Sequence, residues 1–322
     1  GVSISLRAYD DELEVYTSGL AAWTRLKNGL TAVDFCFATY WVAAEKLDVL
    51  LFVDGTDDLY EWSGGIATVA SVAATTITKS GTNTWAQDRF FTAGTRKVVI
   101  GTTEYTYTGG ETTDTLTGVT PNPSSGGVVA GDIALQAIRT YSNTPATDYN
   151  NDFIKVKDNQ LWVGSNTSRY IYVSKNNAYG TFTYSTPRVP GEGALLTLDN
   201  AGKAFGLIGS NMAISAGRDD WYITEFKQLD VNGILTELLN TRKLNSGEGQ
   251  GCQSQDLISG SFYVSYEPAL RQIRGIDESG NLITDNLSDP IKPDFDAEDF
   301  TGGHIKEFRN RILISAPVSD RV

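Results

Sequence analysis

The sequence is poor in the side chains on which most enzyme chemistry depends. It has one histidine, His304, one methionine and two cysteines, Cys36 and Cys252, in 322 residues. A Ser-His-Asp or Cys-His catalytic device would have to use His304, and zinc sites built on several histidines are excluded. We expect His304 to belong to the scaffold. The cysteines lie 216 positions apart, and we expect two buried small side chains rather than a disulfide.

Basic patches and long apolar runs are also missing. The chain has 39 acidic and 26 basic residues, which gives a net charge of −13. Because phosphate contacts need cations, we do not expect the surface to bind nucleic acid. The longest weakly charged run, residues 32–44, is shorter than the roughly 20 residues that a helix needs to cross a bilayer. We therefore expect no membrane span, and the charged residues near Arg7 do not fit a signal peptide.

The residues that are present favour β-structure. Hydrophobic residues make up 40% of the chain and aromatic residues 11%, as in ordinary globular proteins. Short runs of strand-forming residues alternate with Gly, Asn, Asp and Ser. Only residues 31–47 and 234–244 fit a helical period, and the first stretch is rich in aromatic and β-branched types. The sequence predicts an all-β protein.

One pattern recurs along the chain. A polar turn, an apolar triplet and a small residue occur around four anchors that lie 51, 50 and 50 residues apart: Leu161, Met212, Phe262 and Ile312. A second strand-like run follows the first three anchors, at residues 170–173, 221–224 and 272–276, and residues 49–54 with 59–62 form an earlier copy. A period near 50 with several short strands per unit is typical of a β-propeller.

An insertion interrupts this period. Leu51 and Leu161 are 110 residues apart, which is one period of about 50 plus a surplus of about 60, and 16 of the 46 residues from Thr75 to Thr120 are threonine. Alternating Tyr and Thr at residues 105–108 suit an exposed two-faced ribbon with a thin core. We predict first propeller strands and a blade in 1–74, an inserted Thr-rich β module in 75–138, and further blades of about 50 residues in 139–322, the last one incomplete.

Two acidic clusters have the hard oxygen ligands that calcium prefers. The first lies in a hairpin turn and the second in a Pro-flanked loop, and they comprise Asp54, Asp57 and Asp58, and Asp294, Asp296, Glu298 and Asp299. Neither fits an EF-hand, and aspartate is common in turns for reasons of backbone geometry. We predict no metal site and no cofactor.

Other candidate motifs also favour scaffold roles. A glycosidase needs only two carboxylates, but the abundant acidic residues single out no pair. Residues 215–221 resemble an Asp-box hairpin with the wrong residue order, and the Gly-rich segment 247–251 lacks the lysine of a P-loop. Tyr and Trp recur on the second strands, and we expect them between blades: Tyr60, Trp62, Tyr172, Trp221 and Tyr222. We predict no catalytic residue and no enzyme activity.

The strand pairs resemble a known family. The runs Val53-Asp54-Gly55 with Leu59-Tyr60-Glu61-Trp62, and Leu161-Trp162-Val163-Gly164 with Tyr170-Ile171-Tyr172-Val173-Ser174, resemble the propeller region of bacteriophage tail proteins of the nozzle (tail tubular) type. The insertion, with Trp85, Gly94-Thr95-Arg96-Lys97 and Tyr105-Thr106-Tyr107-Thr108-Gly109-Gly110, is similar to small β modules of phage tail and baseplate proteins. The likeness is one of pattern and covers most of residues 45–322.

This resemblance implies a structural role in the virion. Copies would form a ring, usually sixfold, that joins adjacent tail, adaptor or fibre proteins, and DNA would pass through it during ejection without specific binding. An acidic wall suits that passage because it does not hold the phosphates. The leading alternative is a carbohydrate-binding or glycoside-cleaving propeller that recognises a receptor, and a third is a bacterial scaffold propeller of no viral origin.

Overall fold

The computed structural model describes residues 4–9, 11–20, 22–30, 35–56, 58–142, 145, 150–186, 188–231, 233–247, 249–254, 258–300, 303–308 and 311–315. It divides into two compact units, one of residues 1–54 and 58–142 and the other of residues 55–57 and 143–322. Strands make up nearly all of the regular structure that is described. The prediction of an all-β protein is therefore confirmed.

The first unit begins with two antiparallel sheets. Its strands, in chain order, are β1 (Ile4–Tyr9), β2 (Glu12–Thr17), β3 (Thr24–Lys27), β4 (Cys36–Val42), β5 (Leu47–Val53), β6 (Leu59–Trp62), β7 (Ile66–Ala73), β8 (Thr76–Lys79), β9 (Lys97–Ile100), β10 (Thr103–Thr106), β11 (Thr115–Thr117), β12 (Ile133–Gln136) and β13 (Arg139–Tyr141). The strand order is β1-β2-β3 in one sheet and β13-β6-β5-β4 in the other. Alternate apolar residues of these strands pack into one core, which includes Leu13, Val15, Phe52 and Trp62.

A third sheet of the first unit lies between β6 and β13 in the chain. It has the order β10-β9-β12-β7-β8-β11. Isolated bridges join Thr106 to Thr120 and Gly109 to Thr117, so the two edges of this sheet meet and it curls into a partly closed barrel. The chain enters on β7 and leaves on β12, which pair with each other. This module is thus an insertion between the third and fourth strands of the four-stranded sheet.

The module has a core of its own. Trp85, Phe90, Tyr105 and Tyr107 are at most 1% exposed and lie in one cluster with residues from all six strands of the sheet. The expectation of a ribbon with a thin core is therefore wrong: tyrosines 105 and 107 alternate with exposed threonines, but they point into a closed apolar interior. The sheet also begins at Ile66, before the predicted start at Thr75.

The second unit consists of four consecutive antiparallel sheets. Its strands are β14 (Phe153–Lys157), β15 (Gln160–Gly164), β16 (Tyr170–Val173), β17 (Ala194–Thr197), β18 (Gly202–Ile208), β19 (Asn211–Ala216), β20 (Asp220–Val231), β21 (Ile234–Leu244), β22 (Ile258–Ser259), β23 (Phe262–Val264), β24 (Leu270–Ile276), β25 (Leu282–Asn286), β26 (Ile305–Phe308) and β27 (Arg311–Ile314). Strands β14 to β25 form three four-stranded sheets in simple chain order, and β26 pairs with β27. A short helix α1 (Lys292–Asp296) precedes β26.

The anchors of the sequence repeat lie at one topological position. Leu161, Met212, Phe262 and Ile312 are on β15, β19, β23 and β27, the second strand of each sheet, and Leu51 is on β5, which pairs with the first strand β4. Serines at or just after the ends of three of these strands are fully buried: Ser165, Ser215 and Ser265. Their hydroxyls satisfy nearby polar groups: Ser165 Oγ donates to Asp152 at 2.9 Å, and the amide of Cys252 donates to Ser215 Oγ at 2.9 Å.

Successive sheets of the second unit pack face to face. The first strands β14, β18, β22 and β26 contact one another in chain order. Between β14 and β18 the rings of Phe153 and Phe205 are 4.8 Å apart, and the rings of Trp221 and Tyr263 join the next two sheets at 5.1 Å. The described residues form no closed ring of sheets, so the propeller remains a prediction.

One hairpin extends past its sheet. Strands β20 and β21 pair from Trp221–Leu244 out to Val231–Ile234, whereas β19 pairs with β20 only as far as Thr224. Residues 225–231 and 234–240 therefore form a two-stranded arm, called the arm at residues 225–240. The stretch 234–244, one of the two that fit a helical period, is the second strand of this arm because its branched residues pair along β20.

Candidate functional site

A cavity of about 770 Å³ lies in the first unit. The N-terminal sheet, strands β4 to β7 and the module turn at residues 87–89 form its walls. Its volume falls within the roughly 300–1,000 Å³ of small-molecule sites. We call it the first-unit cavity.

Apolar and polar side chains share its wall. Apolar side chains come from four strands: Ile4, Leu6, Val49, Leu50, Trp62 and Ile66. Polar groups come from Thr39, Asp48, Asp88 and Arg89. A wall with one large apolar area and a few hydroxyl and carboxylate groups suits a neutral ligand that has an apolar face and hydrogen-bonding groups.

The charges at the cavity are largely neutralised by the protein. Arg89 has a φ of +69°, and its guanidinium donates to the main-chain carbonyls of Ser63, at 2.5 Å, and of Asp48. The carboxylate of Asp88 pairs with the ammonium of Lys79 at 2.7 Å, and the side chain of Lys79 is only 1% exposed. Because the cations are held by protein acceptors, this arrangement does not favour a phosphate or another anion.

A buried glutamine, Gln136, forms hydrogen bonds at the junction where the chain enters and leaves the module. The Gln136 side chain accepts from the amide of Phe91 at 2.9 Å and donates to the carbonyl of Lys97 at 2.7 Å. Its main-chain carbonyl accepts from Trp62 Nε1 at 2.9 Å. The Tyr107 hydroxyl donates to the carbonyl of Phe91, and burial, together with the charge of Glu111, raises the pKa of Tyr107 well above its usual value.

A largely buried cation, whose side chain is 13% exposed, lies next to this junction. Arg139 on β13 approaches Glu61 at 3.4 Å and Glu45 at 3.8 Å, and the side chains of these glutamates are 0% and 3% exposed. Its guanidinium also lies 3.4 Å from the ring centre of Phe91. Glu61 accepts a second hydrogen bond from Tyr141 at 2.9 Å. We call these residues the Arg139 network; it holds module residues against the four-stranded sheet and offers no nucleophile.

Several of the acidic residues that sequence reasoning considered for calcium have partners within the protein, and Asp54 and Asp58 both lie near the Tyr60 hydroxyl. Asp54 is fully buried and accepts a hydrogen bond from Tyr60 at 3.3 Å. Asp296 lies on α1 and pairs with Lys292 at 3.0 Å. Asp57 lies outside the described residues, as do Glu248, Gly302 and Asn310. Within the described ranges no group of three or more His, Cys, Asp or Glu side chains has the geometry to hold a metal ion.

The other predicted residues have mixed surroundings. His304 is exposed, and its amide donates to Ser315 Oγ at 2.9 Å, next to β26. Cys36 and Cys252 are not joined in a disulfide; Cys252 is buried, as expected, whereas Cys36 is only half-buried. Four of the recurring aromatics are buried, Tyr60, Trp62, Trp221 and Tyr222, whereas Tyr172 is half-buried. In the described part of the chain, no helix has the length and apolar character to cross a membrane.

Sequence reasoning did not find the cavity or the Arg139 network. The cavity draws on strands that are distant in the chain, so no local pattern marks it. The network did leave a local signal, because Glu61 is a charged residue inside the otherwise apolar strand Leu59–Trp62. A charge at a buried strand position requires a partner. Comparison with models of known protein families and with curated protein sequences gave no match.

Proposed function

We propose that the chain is a structural protein of a bacteriophage tail. Its four-stranded sheets would be blades of a β-propeller, and copies would assemble into a six-membered ring that forms part of a nozzle or tube wall. DNA would pass through this ring during ejection, and adjacent tail, adaptor or fibre proteins would bind its outer surfaces. In this proposal the protein is not an enzyme and needs no cofactor.

The serial packing of sheets in the second unit carries the proposal. The first strands of four consecutive sheets contact one another in chain order, and aromatic pairs fill the space between neighbouring sheets. A radial arrangement of blades produces this pattern, in which each blade buries its faces against its neighbours. The four-stranded sheet of the first unit has the same succession of strands, interrupted only by the module, and is proposed as a further blade.

The charge of the chain supports a channel wall. A net charge of −13 with 26 basic residues leaves an excess of negative potential at the surface. DNA binding depends on cations that replace counterions at phosphates, so a wall of this composition lets the duplex slide. A basic wall would retain it.

The first-unit cavity favours a second candidate function. Its mixed wall, with Trp62 and Leu50 beside Thr39 and Asp48, is of the kind that binds neutral saccharides. A carbohydrate-binding or glycoside-cleaving propeller that recognises a receptor would use such a site. The structural role is preferred because of the serial packing of sheets, whereas the cavity singles out no acid–base pair: its two carboxylates are Asp48 and Asp88, and Asp88 is paired with Lys79.

Electron microscopy of the purified chain tests the proposal. Negative-stain images and sedimentation velocity, over a range of protein concentrations, should show rings with a single stoichiometry. The control is a gel-shift assay with double-stranded DNA at low salt, in which no binding is expected. A chain that stays monomeric at every concentration and binds an oligosaccharide on a glycan array would replace the structural role with the second candidate.

A further inference from the structure

The arm at residues 225–240 is fixed on one side only. On one face, the ring of Phe226 lies 6.0 Å from the ring of Trp162, and Glu237 forms an ion pair with Arg188. The amide of Glu237 also donates to the carbonyl of Arg188 at 3.0 Å. These contacts hold the arm against β15 and against the loop between β16 and β17. A two-stranded ribbon has little stability alone, so this attachment keeps the arm extended.

The opposite face of the arm presents leucines to solvent. In the register of the hairpin, Leu229 and Leu238 lie on the face opposite to Phe226 and Glu237. They are 44% and 53% exposed; Leu235 near the tip is 50% exposed but lies on the other face, paired with Asp230. At about 3.3 Å per residue, the seven residues of β20 beyond Thr224 extend about 23 Å. Two neighbouring exposed leucines on a projecting face of this kind favour its use as a contact surface for another molecule.

The charge of this face favours a second copy of the chain as that molecule. Two copies that each have a net charge of −13 repel one another, so they can touch only through surfaces without excess negative charge. The outward face of the arm has one acidic and one basic side chain, Glu225 and Lys227, whose charged atoms are 3.6 Å apart. It is therefore neutral.

A matching concave surface exists in the first unit. Strand β4 (Cys36–Val42) contains no charged residue and is the edge strand of its sheet, and Phe37 and Trp41 are 43% and 45% exposed. Phe37 and Trp41 lie two positions before and two positions after Thr39, so all three side chains are on the same face of the strand. Because Thr39 lines the first-unit cavity, Phe37 and Trp41 flank it. Natural proteins cover apolar edge strands of this kind. Asp48 beside the cavity gives Lys227 a partner of opposite charge.

We propose that the arm of one copy docks in the first-unit cavity of the next. A ring needs two different surfaces on each chain that complement each other head to tail, and a projecting apolar arm with an apolar cavity meets this requirement. Leu229 and Leu238 would fill the cavity between Phe37 and Trp41. This inference rests on the proposed ring, and it specifies which surfaces join neighbouring copies.

Substitutions that add charge to the arm or a bulky side chain to the cavity test the docking. The double variant Leu229→Asp/Leu238→Asp alters the arm, and Thr39→Trp fills the cavity. The matched controls are Ile283→Asp, an apolar residue that is 44% exposed on β25, and Thr68→Trp, an exposed threonine on β7. All five substitutions lie at solvent-accessible positions, and thermal melting should show that the four variants fold like the wild type.

Native mass spectrometry and sedimentation velocity give the readout. Each altered surface should raise the concentration for half-assembly at least about 100-fold, and the controls should leave it unchanged. The arm variant keeps its cavity and the cavity variant keeps its arm, so a mixture of the two should form pairs and nothing larger.

The outcomes separate this inference from the proposed function. Rings that form at the wild-type concentration with either variant overturn the docking and leave the ring intact. A wild-type chain that never assembles overturns the proposed function itself. Loss of saccharide binding in Thr39→Trp, together with normal assembly, overturns the docking and assigns the cavity to a sugar.

Discussion

Replacement of Arg139 by alanine should destabilise the first unit strongly. The guanidinium lies 3.4 Å from a carboxylate oxygen of Glu61, whose side chain is completely buried, and 3.8 Å from one of Glu45. Removal of one partner from a buried ion pair costs about 3–5 kcal/mol, because the remaining charge stays out of water. Glu61 retains its hydrogen bond from Tyr141, so we expect the lower end of that range. For a unit of roughly 140 residues this corresponds to a fall in melting temperature of about 10 °C.

Differential scanning calorimetry provides the measurement, with Arg274→Ala as the matched control. Arg274 and Asp285 form an ion pair at 2.6 Å, but both side chains are about half exposed, so the loss should be at most about 1 kcal/mol. The double variant Arg139→Met/Glu61→Gln removes both charges and should recover much of the stability. Equal shifts for Arg139→Ala and Arg274→Ala would refute the view that burial gives the Arg139 network its importance.

The remaining predictions concern the repeat, pH and the histidine. Leu161→Asp places a charge at a fully buried position on β15 and should abolish cooperative unfolding of the second unit; unchanged thermal melting would contradict the blade alignment. Burial raises the pKa of Tyr40 to about 12, so the folded state favours the neutral phenol. That stability is complete below about pH 10 and is lost as the pH rises towards 12, and Tyr40→Phe should lessen this alkaline fall in melting temperature. His304→Ala should leave assembly unchanged in sedimentation velocity, since its side chain is exposed, and loss of an activity with retained folding would reopen the case for an enzyme.

The sequence was sufficient to predict the strands that recur. Apolar triplets between polar turns correctly marked β15, β19, β23 and β27. Burial on both faces explains the apolar runs of β15 and β19, whereas β27 is half exposed. The hairpin partners at residues 170–173 and 59–62 coincide with β16 and β6. These signals depend on residues that are close together in the chain, so the sequence alone contains them.

Long-range pairings account for what the sequence did not reveal. The sequence of the module does not reveal its core, because threonines occupy many of the outer positions. Tyr105 and Tyr107, which alternate with exposed residues, point inward. Strand β13 is only three residues long, and it was missed because its partner β6 is separated from it by the whole module. The first-unit cavity combines side chains from the first residues of the chain with the turn at Arg89, and no periodicity connects them.

The position of the module between β6 and β13 determines an order of folding. Glu61 and Arg139 are cross-strand partners although 78 positions separate them in the chain, so a direct encounter of β13 with β6 must close a long, flexible loop at an entropic cost. When β7 and β12 pair inside the module, they bring its two ends side by side. The later pairing of β13 with β6 then closes only a short loop and loses little entropy. The four-stranded sheet should therefore gain its last strand only after the barrel has formed, so a lesion in the barrel interior would slow completion of the sheet.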